Sequence, residues 1–221
     1  MFDNPFRRFL RKGLKRPSLR VMKLPSRVGV MTLPNAILFP QALLPLYIFE
    51  PRYRQMLAAS LEEQRMFAIA LTGEGEKPRR IGGVGLIRAC VENADGTSNV
   101  ILQGIARVRF TGFSQPAPYV MGEIEPLASV ETDDVETDAL VAKILEIVRQ
   151  TRAKGEPVPD WMLNFMGDLK DFDVLADLIT YTFVEDIPTK QEILEELDIK
   201  RRLHKVLLAL RGQVSGGLDP L

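Results

Sequence analysis

Cysteine and histidine are nearly absent from this chain: among 221 residues, Cys90 is the only thiol and His204 the only imidazole. That excludes an internal disulfide, a cysteine zinc cluster and any metal site needing two imidazoles from one chain. No apolar run approaches the roughly 20 residues that a membrane-spanning helix requires. Nor does the N-terminus carry a secretory apolar core, so a cytoplasmic location is expected. A phosphate loop is missing as well. Gly73 and Gly75 are followed by Glu76-Lys77-Pro78, and Gly82-Gly83-Val84-Gly85 has no lysine after it. No serine occupies a strand-to-helix elbow. His204 stands beside Arg201, Arg202 and Lys205 and reads as a surface residue, while Cys90, between Ala89 and Val91, reads as a buried, inert thiol. The acidic run around Asp133-Asp134 suits a helix start better than a cation site. Neither catalysis nor a cofactor is expected.

Charge of one sign is lacking overall, since 29 Lys and Arg balance 29 Asp and Glu. The balance hides an asymmetry. Residues 1–28 hold nine basic residues and one acid, so they carry +8 and the remainder −8. Phe2, Phe6, Phe9, Leu10 and Leu14 interleave with Arg7, Arg8, Arg11, Lys12, Lys15 and Arg16 at roughly helical spacing. Such a segment, residues 1–27, is open to several readings: a flexible solvated tail, weak contact with an anionic membrane surface, contact with nucleic acid, or docking on the chain's own acidic body. A targeting presequence fits poorly, because serine is scarce.

What is present is sharpest between Leu33 and Leu71. Pro34, Pro40 and Pro45 break an apolar run into short extended pieces, expected at Ala36–Phe39 and Leu43–Phe49. Glu50-Pro51 opens a helix carrying Tyr53, Met56, Leu57 and Leu61, and Phe67–Leu71 returns to strand. A hairpin follows, Val84–Val91 and Val100–Phe110, around Asn93-Ala94-Asp95-Gly96-Thr97, whose Asp-Gly pair favours positive φ. By period two, Val100, Leu102, Ala106, Val108 and Phe110 share one face, and Gly104 marks a bulge or bend. Tyr119–Ile124 is a further strand. The helical period then takes over. It runs through Leu140–Val148, Trp161–Met166 and Phe172–Phe183, then a helix opened by a capping box at Thr189 and Glu192, and a last helix capped by Asp198 and stopped near Gly212. The expected fold class is α+β, with a curled β unit at 28–128, a helical bundle at 129–212 and a flexible tail at 213–221.

Several of these patterns carry a family likeness. Leu33-Pro34, Phe39-Pro40, Leu44-Pro45-Leu46 and Phe49-Glu50-Pro51-Arg52-Tyr53-Arg54 resemble the start of the amino-terminal substrate-binding domain of Lon proteases, particularly its stand-alone forms. Ile81-Gly82, Asp95-Gly96, Leu102-Gln103-Gly104 and Arg107-Val108-Arg109 match its β part. Leu175-Ala176-Asp177-Leu178-Ile179, the run Lys190–Asp198 and Arg201-Arg202-Leu203 match its helical part. The resemblance implies a PUA-like β pseudo-barrel followed by a helical bundle, without the ATPase and protease domains of full-length Lon. It also implies recognition of unfolded or partly unfolded polypeptides, with an adaptor role toward a separate ATP-dependent protease or chaperone as an extension. RNA binding through the pseudo-barrel, Arg107, Arg109 and the basic tail is the alternative, and the acidic body argues against it.

Recognition needs an accessible apolar surface. Phe39, Leu43, Leu44, Tyr47 and Phe49 are candidates, with Arg52 and Tyr53 at their rim, and an exposed strand edge offers pairing with an extended peptide. Trp161, Met162, Phe165 and Met166 form a second apolar cluster whose methionines suit adaptable contact. For most of these side chains the plainer reading is core. The sequence does not give the oligomeric state.

Overall fold

The architecture follows from where strand alternation is kept and where it is broken. The computed structural model describes residues 23–130, 135–152 and 158–216. Six strands come first: β1 (Arg27–Leu33), β2 (Leu43–Ile48), β3 (Met66–Leu71), β4 (Ile81–Glu92), β5 (Ser98–Ser114) and β6 (Val120–Pro126), with helix α1 (Pro51–Glu62) between β2 and β3. Five helices follow: α2 (Val135–Arg152), α3 (Asp160–Asp168), α4 (Phe172–Phe183), α5 (Ile187–Glu195) and α6 (Ile199–Gly216). The sheet runs β2-β5-β4-β3-β1-β6, and β5 also pairs with β6. That extra pairing closes five strands into a barrel and leaves β2 outside the ring. The expected α+β class and pseudo-barrel are observed.

β3 shows how the layers arise. Met66, Ala68 and Ala70 join Val28, Val30, Val84, Val108 and Phe110 in the barrel interior. Phe67 and Ile69, on the other face, pack with Tyr53, Met56 and Leu57 of α1. Buried on both sides, β3 is apolar throughout. A third core, built from Ile144, Val148, Leu175, Ile179, Leu203 and Val206, holds the helices together and also takes in Ile37 and Phe39.

Four expectations are corrected here. Residues 36–39 are not a strand. They form an extended connection whose Ile37 and Phe39 enter the helical core while Leu38 enters the core beneath α1. Nor do the five β5 residues share one face. Val84 pairs with Ala106 but Gly85 pairs with Gly104, so Ile105 is an extra residue on β5. This bulge inverts the alternation, sending Val100 and Leu102 beneath α1 but Ala106, Val108 and Phe110 into the barrel. The α5 cap is Asp186, which accepts from the Thr189 backbone N–H at 2.8 Å and from its hydroxyl at 2.6 Å. Pro188 therefore lies in the first turn, where its missing donor costs nothing. Finally, α6 continues past Gly212 to Gly216. The Asp198 cap is as expected, accepting from the Arg201 N–H at 2.9 Å.

Two glycines seat the 36–39 connection on the barrel. A Cβ at Gly83 would lie 2.1 Å from the Leu38 carbonyl oxygen, and one at Gly104 would lie 2.0 Å from that of Phe39. By contrast, a Cβ at Gly167 in α3 would meet nothing within 4 Å. Gly104→Ala is expected to destabilise the fold by about 2 kcal/mol or more. Gly167→Ala should stabilise it by about 0.5–1 kcal/mol. Denaturant unfolding of the two variants checks the contrast.

Candidate functional site

Where β2 meets β5 and β4, register decides which side chains face solvent. Tyr47 pairs with Asn99, and Asn99 with Val91; Pro45 pairs with Ile101, and Ile101 with Ala89. These two rows lie on one face. The opposite rows, with Leu46, Ile48, Val100 and Cys90, pack beneath α1. Among the described residues the outer face has no such cover: Tyr47 is 56% exposed, Phe49 58% and Val91 62%. Phe49, just beyond the strand, stacks on Tyr47 with ring centroids 5.9 Å apart. At the other end of the strip the helices meet the strand edge, where Tyr181 of α4 donates to the Leu43 carbonyl at 2.8 Å.

The β2 edge offers less backbone than expected. Gly104 N–H donates to Ala42 O at 2.9 Å, which turns the polar groups of residues 44, 46 and 48 toward β5 and those of 43, 45 and 47 away. Among the outward groups the Leu43 carbonyl is taken by Tyr181, and Pro45 has no N–H. Only Tyr47 presents both a donor and an acceptor. Proline at an outward position blunts an edge against continuous strand addition. The edge therefore presents mainly side chains, with a single outward backbone donor–acceptor pair at Tyr47.

The other sequence candidates separate by burial. Phe39 is fully enclosed and Tyr53 is 6% exposed, so both are core. The Tyr53 hydroxyl donates to Thr32 O and accepts from Thr32 N–H, each at 3.2 Å. Leu43 and Leu44 are half-buried, Leu44 against the α1 core. Arg52 is exposed, bonded to Glu50 at 2.8 Å and lying 4.5 Å over the Tyr53 ring. On α3, Met162 packs against the helical core, Met166 is fully buried, and Trp161 and Phe165 are half-buried. The structure does not bring α3 into the β2 strip. Phe2, Phe6, Arg7, Arg8, Arg11, Lys12, Lys15 and Arg16 lie outside the described residues. His204 is exposed. Cys90 is half-buried rather than enclosed and lines a groove of about 390 Å³ with Arg54, Leu57, Leu61 and Glu92. Among the described residues, no three His, Cys, Asp or Glu side chains are placed to hold a metal ion, and no helix is long and apolar enough to cross a membrane.

The sequence reading missed Val91, Ile101 and Pro45 as parts of this face. The hairpin register, counted back from the Gly96 turn at φ 76°, was the signal that could have found Val91. It also misplaced Arg107. That side chain is 2% exposed and unavailable to phosphate. Its guanidinium binds Asp177 and lies 3.5 Å from Asp173, and its Nε donates to Leu194 O at 3.1 Å. Arg202, fully buried, binds Asp173, lies 3.7 Å from Asp177 and donates to Glu196 O at 2.8 Å. Ser129, between β6 and α2, donates to Asp173 at 2.8 Å. Two cations and two anions from β5, α4 and α6 thus close on one another and tie the barrel to the helices.

Sequence comparison gives the family, and comparison with solved structures gives the same fold. The profile of the ATP-dependent protease La (LON) substrate-binding domain matches residues 27–212. The chain belongs to the Lon substrate-binding domain family. Lon protease of Desulfosudis oleivorans is 27% identical over 200 residues, covering 87% of this chain and 24% of that protein. Lon protease of Syntrophus aciditrophicus is 25% identical, covering 88% and 26%. The chain thus spans about a quarter of the length of these curated relatives. Among solved structures, the N-terminal domain of a Mycobacterium avium complex Lon protease aligns with a TM-score of 0.71 at 21% identity, over 84% of this chain and 98% of that one. A Lon N-terminal domain protein from Xanthomonas campestris aligns at 0.62 and 20%, over 83% and 98%.

Burial pushes the Asp177 carboxyl up to about 6, against the pull of Arg107 and Arg202. For Asp173 burial also raises, but the two guanidiniums outweigh it and the net shift is downward. A raised folded-state pKa means that the contribution of Asp177 to stability is present at low pH and lost as pH rises through about 6. That of Asp173 is present above the ordinary carboxylate range and lost as pH falls through its depressed pKa. Unfolding free energies between pH 4.5 and 7 are expected to contain a component that falls with rising pH and vanishes in Asp177→Asn. An unchanged profile in that variant contradicts the assignment. Arg107→Met, which strands buried carboxylates, is expected to cost about 3–5 kcal/mol in denaturant unfolding.

Proposed function

We propose that this chain is a non-catalytic polypeptide-recognition module, and that the solvent face of the β2–β5–β4 strip is where polypeptides bind. The observation that carries the reading is the exposed aromatic pair Tyr47–Phe49 beside Val91, on a strip whose other face packs against α1. Grouped apolar side chains of this kind on a rigid sheet mark interaction surfaces. The family supports the class of partner, since it is defined as a substrate-binding domain. Unfolded or partly unfolded segments, rich in apolar side chains and free of competing structure, fit a surface that reads side chains more than backbone. Delivery of such clients to a separate ATP-dependent protease or chaperone is the role that extends this reading. In it, residues 28–128 present the surface and residues 129–212 brace it.

Covering Tyr47, Phe49 and Val91 supplies about 1.5–3 kcal/mol each before costs, and association consumes much of that. Micromolar affinity is the expectation. RNA binding is the weaker reading, because Arg107 is committed to the interior and only Arg109 of that pair is exposed.

A fluorescently labelled, reduced and alkylated protein that cannot refold provides the test. Tyr47→Ser combined with Phe49→Ser is expected to weaken its binding at least about tenfold, a loss of 1.4 kcal/mol, with thermal unfolding unchanged. Equal affinity for the double variant and the parent chain would falsify the placement of the site.

A further inference from the structure

A second surface, at the other end of the barrel, has a different chemistry. The segment between β3 and β4 lines a cleft of about 680 Å³ with Glu74, Lys77, Arg79 and Arg80, and Ile81 and Glu195 line it from β4 and α5. Lys77, Arg79 and Arg80 are exposed, and none has a carboxylate within ion-pair distance among the described residues. They are cationic on a body that is otherwise acidic.

The segment that carries them is held at several points. Gly73 N–H donates to Lys77 O at 2.7 Å, Arg79 N–H to Leu71 O at 2.8 Å, and Phe110 N–H to Arg80 O at 2.8 Å. Gly75 and Glu76 adopt φ of 63° and 60°, which turns the chain tightly between those bonds. The cations are therefore presented from a backbone whose ordering cost is already met. Beside them, Gln191 of α5 donates to Ile81 O at 2.9 Å and to Glu195 Oε1 at 2.7 Å. Gln191 is 3% exposed, and its Oε1 has no hydrogen-bond partner among the described residues. Gln191 lies behind the cleft wall, and its donation orients the Glu195 carboxylate that lines it.

We infer that this cleft binds a carboxylate-bearing stretch of polypeptide, adding an acidic preference to the recognition proposed above, on which it rests. Arginine and lysine meet side-chain carboxylates, Arg in a bidentate fork. Glu74 and Glu195 meet donors, which a peptide backbone supplies with its N–H groups. A nucleic acid fits less well, because Glu74 and Glu195 call for hydrogen-bond donors, which a peptide backbone carries at nearly every residue and a phosphodiester does not.

Three labelled unstructured peptides test the cleft. They share the same tyrosine and leucine residues and differ at two positions, which are Asp, Asn or Lys; a single-stranded RNA oligonucleotide is the fourth probe. Binding to the whole chain and to Arg79→Gln combined with Arg80→Gln is read by anisotropy. Both arginines are exposed, so the double variant should fold, and its unfolding curve verifies that. The Asp peptide should bind about tenfold more tightly than the Asn peptide, with the Lys peptide weakest. In the double variant the Asp and Asn peptides should converge on the parent's Asn value. If Asp and Asn peptides bind the parent chain equally, the cleft inference falls while polypeptide recognition stands. If no peptide binds, both fall. RNA binding more tightly than the Asp peptide, and lost in the double variant, reassigns the cleft to nucleic acid and overturns the inference.

Discussion

Arg107 and Arg202, buried against Asp173 and Asp177, fix how the two halves of this protein meet. Burying four charges is expensive, and it is tolerated only when each charge is paired and its remaining hydrogen-bonding groups are met. Here the guanidiniums use the Leu194 and Glu196 carbonyls as well as the carboxylates, and Ser129 adds a further bond. A slide of the helices over the barrel would leave charges without partners. An apolar interface of similar size would tolerate such slippage more easily, because hydrophobic contact has no direction. The network therefore acts as a register pin between barrel and helices.

That pin makes a one-sided exposure possible. The bulge at Ile105 divides β5 into a stretch that fills the barrel and a stretch that extends beyond it to carry β2. Among the described residues the extended stretch is covered by α1, and α1 covers one face. Near Leu43 the helical half holds the strand edge through the Tyr181 bond; beyond it Pro45, Tyr47 and Val91 face water. Exposed aromatics on a long free edge would invite strand-to-strand aggregation. Pro45 and the occupied Leu43 carbonyl remove that hazard without hiding the aromatic rings. In the proposed role, a face that offers side chains with little room for strand addition suits contact with unfolded chains.

Much of this was legible in the sequence because it was written locally. The prolines at 34, 40 and 45, the Glu50-Pro51 helix start, the Asp95-Gly96 turn and the Asp198 cap each act within a few residues. What the sequence concealed depends on distance or on a change of parity. Gly104 signalled a bulge or bend, but not that the extra residue, Ile105, reverses parity, so the residues on either side of it were read as one face. Asp177 lies 70 positions from Arg107, and an arginine between Ala106 and Val108 reads as an outward charge until the helices are placed over it. At α5, Asp186 and Thr189 both suit a cap, and only the placement of Pro188 within the first turn favours the aspartate. Of the candidate site, Tyr47, Phe49 and Arg52 were visible as types in a proline-bounded run. Val91 and Ile101 came only with the strand register.

Amide-resolved NMR of the labelled whole chain, titrated with an unfoldable polypeptide, tests the central claim most directly. Perturbations are expected around residues 45–50, 89–92 and 99–101, with the amides around Arg107, Asp177 and Arg202 unmoved because the two halves stay locked. Shifts confined to the helical half, or a broad response through the charged network, would contradict it.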